Sequence, residues 1–403
     1  MRGDELPLTR KALEKKLFIG YIVVFFLFFD THFQMPILAP FARSLGATPF
    51  IVGSIVSMYS LFNIIGNLIS GHVIDLRSWK KPLTVGILGT TLSLYFYSLA
   101  TSPYVLLMIR AFHGLAGGLV IPATMVYLTR TPTARTDVVS QRMAYYGACI
   151  GLAALTGPPA AGMMAAYHGF ENTYRAIAVF LFLAAVLAIF FMKENVISER
   201  KNISFKEHYK RIKNASSLRI AFSFIFLLMG ATGTLASFLP LKAESLGASP
   251  AFTGGLFAAF AATAIMVQLF WPLLVKRFNL FYFLLAGLVL LIMALVLLSC
   301  TTSLFVLFFP MALYGAAFGL LFPASLELVA RGSQPSWKGL ATGFFFVFFS
   351  LGVAVVPPLG GLLWQSQLHL SPFLTAAAVA LFLSLSVTKK RILTTQAELK
   401  KIK

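Results

Sequence analysis

Apolar residues run in stretches of about twenty, separated by short polar segments, over nearly the whole of the 403-residue chain. A bilayer hydrocarbon core of about 30 Å needs roughly 20 apolar residues per helical crossing. The pattern predicts twelve spans, at 17–40, 50–73, 82–100, 104–128, 143–167, 173–192, 218–241, 251–274, 280–299, 303–328, 339–364 and 371–388. Because the first span is long and another follows at once, a cleavable signal peptide is not expected. The fold class expected is an all-α polytopic membrane protein of about twelve transmembrane helices.

Composition agrees with that pattern. Hydrophobic residues make up 58% of the chain, charged residues 11%, and the mean hydropathy is +0.84. A water-soluble globule cannot hide that much apolar surface, whereas a lipid-facing one need not. The net charge of +20 raises nucleic acid as a partner until its placement is considered. With the N-terminus inside, 29 of the 33 Lys and Arg fall in segments facing the cytoplasm. The other four are Arg43, Arg175 and Lys242 near outer ends, and Arg110 within a span. This asymmetry orients both termini to the cytoplasm of a cell-membrane protein and makes nucleic acid unnecessary. The basic tail 389–403 can also meet anionic lipid. Cys149 and Cys300 offer neither a disulfide framework nor metal-ligand spacing and read as packing residues.

The chain also repeats itself. Ser44 to Gly53 recurs as Ser245 to Gly254, with six of ten positions identical at an offset of 201. Gly114 to Ala123 recurs as Gly315 to Ala324 at the same offset, Arg130 and Arg331 continue it, and the proline pairs Pro158-Pro159 and Pro357-Pro358 follow with a small slip. Six spans per half is an even number, so the halves form a parallel repeat about an axis along the membrane normal. The expected organisation is a cytoplasmic N-terminus (1–16), a first six-helix bundle (17–192), a cytoplasmic linker (193–217), a second bundle (218–388) and a basic tail (389–403). Two such bundles around a central interface favour alternating access, with the solute near the bilayer midplane.

Three motifs carry chemistry. The loop after span two places Gly71, Asp75, Arg77, Lys80 and Lys81 in a short turn, where a carboxylate and cations can engage helix ends and charges of the other half. Span four holds Arg110, His113, Gly114, Gly117 and Gly118, and an arginine inside a span needs a cavity or a partner. Span five holds Gly157, Pro158 and Gly162, a bent and closely packing segment. These motifs resemble those of the major facilitator superfamily. Its loop signature runs Gly-x-Leu-Ala-Asp-Arg-x-Gly-Arg-Arg/Lys-Arg, from which Leu76, Ser78 and Trp79 depart. His113 stands where its Arg-x-x-Gln-Gly pattern has Gln, and the span-five motif is similar to that of its twelve-span drug and metabolite antiporters. The resemblance implies two pseudo-symmetric six-helix bundles and proton-linked export of a small organic solute. Import of a sugar or organic acid by proton symport is the alternative, and an intramembrane enzyme or receptor a remote one.

Asp30 is the one acidic residue that these boundaries place near the membrane centre, with His32 and, one turn on, Gln34. A carboxylate there must be neutralised, paired or hydrated. Asp30, His32, Gln34, Arg110 and His113 are thus candidates for proton coupling or the solute cavity. Asn63, Asn67 and its repeat mate Gln268 are weaker candidates, since interhelical hydrogen bonds would explain them equally well. Glu327 and Arg331, spaced i,i+4 at the cytoplasmic end of span ten, suit a gating ion pair. With no nucleotide-binding loop, metal cluster or nucleophilic triad, the reading is a transporter without cofactor. Its expected partners are a small-molecule substrate, protons and the lipid bilayer, and it is expected to act as a monomer.

Overall fold

The structure, a computed structural model, describes residues 10–76, 78–129, 136–192, 215–334 and 337–386. Of Asp75 only the helical backbone is described. Arg77, the linker 193–214 and the tail 389–403 lie outside the described residues, as do residues 1–9.

The first half comprises α1 (Arg10–Phe33), α2 (Leu38–Ser44), α3 (Pro49–Leu76), α4 (Lys80–Tyr97), α5 (Pro103–Thr129) and α6 (Thr136–Phe191). The second comprises α7 (Ser216–Ser245), α8 (Pro250–Arg277), α9 (Leu280–Cys300), α10 (Phe308–Gly332), α11 (Lys338–Gln365) and α12 (Pro372–Ser386). No strand occurs among the described residues. Eight of these helices are long and apolar enough to cross a membrane, and α1 with α2, bent by 46°, make a ninth crossing. Pro36 breaks that span: lacking an amide hydrogen, it cannot continue the ladder, and a short turn joins the two pieces. At 56 residues, α6 is more than twice the length that one crossing requires. Gly169, with φ 76°, divides it into two spans. The shorter α4 and α12 complete twelve spans, six in each half.

The duplication is visible in three dimensions. Gly46 and Gly247, mates in the repeat, terminate α2 and α7 with φ 89° and 87°. The halves meet along two crossings, α3 against α11 and α6 against α8, and these crossings are built from repeat-related parts. A Cβ at Gly53 would sit 2.5 Å from the Pro357 carbonyl oxygen, and one at Gly254 would collide with the Pro158 carbonyl. In the same way, Gly361 lies on the Pro49 backbone and Gly162 on that of Pro250. Helix backbones can touch here because no side chain intervenes. Polar contacts tighten the same end. The Ser57 hydroxyl donates to the Val353 carbonyl at 2.8 Å, the Phe50 amide to the Gln365 side chain at 3.3 Å, and Arg43 lies 3.9 Å from Glu244. The molecule is therefore closed at the Gly46/Gly247 end. Toward the other end, Ile65 and Leu68 of α3, and Leu269 and Leu273 of α8, are exposed.

One expectation is corrected. Cys300, at the end of α9, is exposed rather than packed, because it lies on the helix face that carries the exposed Met293 and Val296 and not on the buried face of Leu295 and Leu298; Cys149 is half-buried.

The close backbone approach yields a test. Gly53→Val or Gly254→Val, in a variant lacking native cysteines, is expected to open the sealed end. Spin labels at Ser44 and Ser245 should then show a longer distance distribution by pulsed electron paramagnetic resonance. Gly343→Val, where an added Cβ meets open space, should leave the distribution unchanged.

Candidate functional site

The break after α1 holds Asp30 and Gln34 inside the first half, facing α5. Asp30 is 2% exposed, Gln34 3%, Arg110 8% and His113 0%. The Gln34 amide nitrogen donates to Asp30 Oδ1 at 2.8 Å, while Gln34 Oε1 accepts from an Arg110 guanidinium nitrogen at 2.9 Å. Arg110 Nε donates to the Ile55 carbonyl at 3.3 Å, and its guanidinium lies 4.8 Å from the centroid of the Tyr59 ring. Desolvated cation–π contact of this kind offsets part of the cost of burying the cation.

His113 Nε2 lies 3.1 Å from Asp30 Oδ2, and His113 Nδ1 lies 3.0 Å from the Tyr97 hydroxyl. If Nε2 carries the proton that Asp30 accepts, Nδ1 of the neutral ring is left as an acceptor and the Tyr97 hydroxyl donates to it. The Tyr59 ring meets the imidazole edge-on at 5.0 Å, and the Tyr97 and Tyr174 rings pack at 5.0 Å behind it. Gly117 makes room for this arrangement, since a Cβ there would stand 2.5 Å from the Tyr59 hydroxyl. Asp30 and His113 bring two protonatable side chains into direct contact inside the first half. The carboxylate, imidazole and guanidinium are tied together by hydrogen bonds that must rearrange when the charge on Asp30 changes.

Other candidates lie apart from this cluster. His32 Nδ1 pairs at 2.8 Å with the Phe28 carbonyl of its own helix. Asn67 donates to the Asn63 side chain at 2.8 Å, and Asn63 to the Gly114 carbonyl at 3.4 Å, so both serve the α3–α5 contact. Gln268 is half-buried on α8 in the second half. Arg331 and Glu327 pair with each other at 2.7 Å on α10. The Lys80 ammonium caps the Ile189 carbonyl at 2.9 Å, near the end of α6 in its own half. Lys81 is exposed, and a Cβ at Gly71 would meet open space. Gly157 lies on the backbone of α1 around Phe29 and Phe33, while Pro158 and Gly162 belong to the seal.

Sequence reasoning missed Tyr59 and Tyr97. Both are tyrosines within apolar spans, each carrying a polar group that must find a partner when buried, and that signal was available. The repeat also exposes an asymmetry. The mates of Tyr59 and His113 are Phe260 and Tyr314, whose rings meet edge-on at 5.5 Å. Tyr314 bonds the Thr232 hydroxyl at 2.8 Å, while Ala231 occupies the place of Asp30. Each half has this geometry, but only the first carries charge in it.

The Major Facilitator Superfamily model matches residues 20–241 and again 220–400. This chain belongs to that superfamily. Among its curated relatives, multidrug resistance protein MdtG of Salmonella choleraesuis (strain SC-B67) is 26% identical over 361 residues, 86% of this chain and 88% of the relative. MdtG of Salmonella paratyphi C (strain RKS4594) matches to the same extent. Among solved structures, a mutant of the nucleoside transporter NupG superposes with a TM-score of 0.78 at 16% identity, covering 92% of this chain and 98% of that one. A bacterial homolog of the human lysosomal transporter Spinster, inward-facing and unoccupied, gives 0.77 at 12% identity, covering 98% and 99%. At those identities the structural likeness shows the fold alone. As a facilitator the chain is a multi-pass membrane transporter and not an enzyme. Its departure at His113 puts an imidazole, rather than an amide, against the buried carboxylate.

Removing the imidazole should therefore cost stability. His113→Leu strips Asp30 Oδ2 of its donor and is expected to destabilise the protein by about 3 kcal/mol. His113→Gln, which can still donate, should recover most of that loss. Thermal unfolding of purified protein, followed by tryptophan fluorescence, measures both.

Proposed function

We propose that this transporter is a proton-coupled exporter of small organic solutes, a drug or a metabolite, working by alternating access in the cell membrane. The observation that carries the reading is the buried Asp30–His113–Gln34–Arg110 network, a protonatable centre enclosed by the helices of one half. The names of the curated relatives, multidrug resistance proteins, favour export.

In this reading the bundles 17–192 and 218–388 rock against each other, joined by the linker 193–217. The segments 1–16 and 389–403 lie on the cytoplasmic side, as the distribution of Lys and Arg favours. The sealed end then faces outward, and solute enters between the halves from the cytoplasm. Asp30 takes and releases the coupling proton, and Arg110, held through Gln34, senses its charge. A proton site of this kind must bind protons with different affinity in the inward and outward states. Pro158 and Gly162 work the outer seal, and Gly157 lets the same segment lie close on α1 as the seal opens and closes. Gly71, Asp75, Arg77, Lys80 and Lys81, with the Glu327–Arg331 pair, set the balance at the cytoplasmic end. One chain contains both halves of the pathway, so the working unit is a monomer.

Two outcomes are expected in proteoliposomes with an imposed pH gradient and a broad panel of cationic, neutral and anionic organic solutes. Asp30→Asn keeps the size and polarity of the side chain but cannot titrate, so gradient-driven accumulation should vanish while downhill exchange survives. Undiminished accumulation at an unchanged pH dependence would remove Asp30 as the coupling site. Arg110→Ala should reduce flux far more than Arg175→Ala at equal expression. Arg175 bonds Asn172 at 3.2 Å on an exposed stretch of α6, and similar flux in the two variants would make Arg110 a structural anchor only.

A further inference from the structure

A small cavity opens beside Asp30 within the first half, lined by Asp30, Thr31, Tyr59, Thr90, Gly117 and Thr124 among others. All of its lining residues belong to α1, α3, α4 and α5, so the second half contributes none of its wall. From Gly117 to Thr124 it follows α5 for two turns, about 10 Å. Its volume is about 20 Å³, enough for one water molecule.

Thr90 gives the cavity its chemistry. Its side chain is 2% exposed, and among the described residues its hydroxyl has no protein hydrogen-bond partner. A hydroxyl buried without a partner is costly, and the common remedy is an ordered water with two to four polar contacts. Those contacts are at hand. Thr31 and Thr124 spend their hydroxyl protons on the Leu27 and Ile121 carbonyls, at 3.3 and 2.9 Å, and keep lone pairs free to accept. The Tyr59 hydroxyl and the Asp30 carboxylate complete a polar wall. Leu27, Phe28, Val120 and Ile121 make the rest of the lining apolar, so the polar contacts gather on one side, where a single water can reach them.

We propose that this cavity holds a water that passes protons to and from Asp30, so that the proton route runs inside the first half while solute moves between the halves. The proposal rests on the coupling role of Asp30 given above. In the loading step, a hydronium ion at the mouth of the cavity gives a proton to the bound water, which passes one on to an Asp30 carboxylate oxygen. The products are a neutral carboxyl and neutral water, and release is the reverse. The titratable and charged groups around Asp30 are His32 on α1, Tyr59 on α3, Tyr97 on α4, Arg110 and His113 on α5, and Tyr174 on α6. Of these, only Tyr59 lines the cavity together with Asp30.

The test is X-ray hydroxyl-radical footprinting of the purified full-length protein in ¹⁸O-water, in which radicals born from a bound water oxidise the side chains beside it. Phe28 and Tyr59, both lining the cavity, should take up label. Thr90→Val, equal in shape but without the hydroxyl, should lower that uptake severalfold, and Thr90→Ser should restore it. Equal labelling of wild type and Thr90→Val would overturn the water site. In the proteoliposome assay, Thr90→Val should slow proton-driven accumulation and spare downhill exchange. A fall in labelling with unchanged accumulation would overturn the proton route. Failure of the Asp30→Asn prediction would instead sink the coupling reading and leave the labelling result standing.

Discussion

A carboxylate inside a bilayer-spanning bundle cannot be left to itself, and the burial of Asp30 imposes that condition on the first half of the molecule. Moved out of water, the charge must be matched by a cation, hydrogen bonds or a proton. The chain supplies the first two within reach. The Gln34 amide and the His113 imidazole occupy the two carboxylate oxygens, and Arg110 stands behind Gln34. Arg110 would be equally costly alone, and it is accommodated by the Ile55 carbonyl and the face of Tyr59. The break in the first span, the tyrosines on α3 and α4, and the small residues of α5 can all be read as provisions for this one group.

The second half shows the same scaffold without that demand. Where Ala231 replaces Asp30 and Met311 replaces Arg110, the surroundings relax to aromatic packing and a hydroxyl pair between Tyr314 and Thr232. The edge-on contact of α3 with α5 survives as Phe260 on Tyr314, so backbone geometry outlasted the chemistry it hosts. A chemically lopsided pair of bundles suits a division of labour in which charge is handled on one side of the seam and apolar contact offered on the other.

Much of the fold was legible in the sequence because its determinants are local. Length and hydropathy mark each span and the shared offset reveals the duplication, whereas the break at Pro36 lay unmarked inside the first span. The contact of Asp30 with His113, and its link to Arg110 through Gln34, were only hinted at, by similar depth in the membrane, because depth does not say which helix faces which. For the same reason Asn63 and Asn67 could not be separated from the site until α3 was seen packed on α5. His32 was a candidate by its place in the same span, two residues from Asp30. It turns back on the Phe28 carbonyl, whereas Gln34 lies one helical turn from Asp30, on the same face. The seal was half visible. Its prolines and glycines stood out in span five, yet their partners in the other half depend on how two bundles dock, which no local pattern encodes.

The ion pair between Arg43 and Glu244 has a bearing on the history of the chain. The two residues are mates in the repeat, so they lie where the pseudo-two-fold axis brings a position against its own counterpart. In an ancestral dimer of identical halves that position would have faced itself, and any charge there would have met a charge of the same sign. Opposite signs across the axis became possible only once the two copies could mutate independently. A contact of opposite signs there is open to a single chain with two unlike halves and closed to a symmetric dimer, so it ties the two bundles to one orientation of unlike partners.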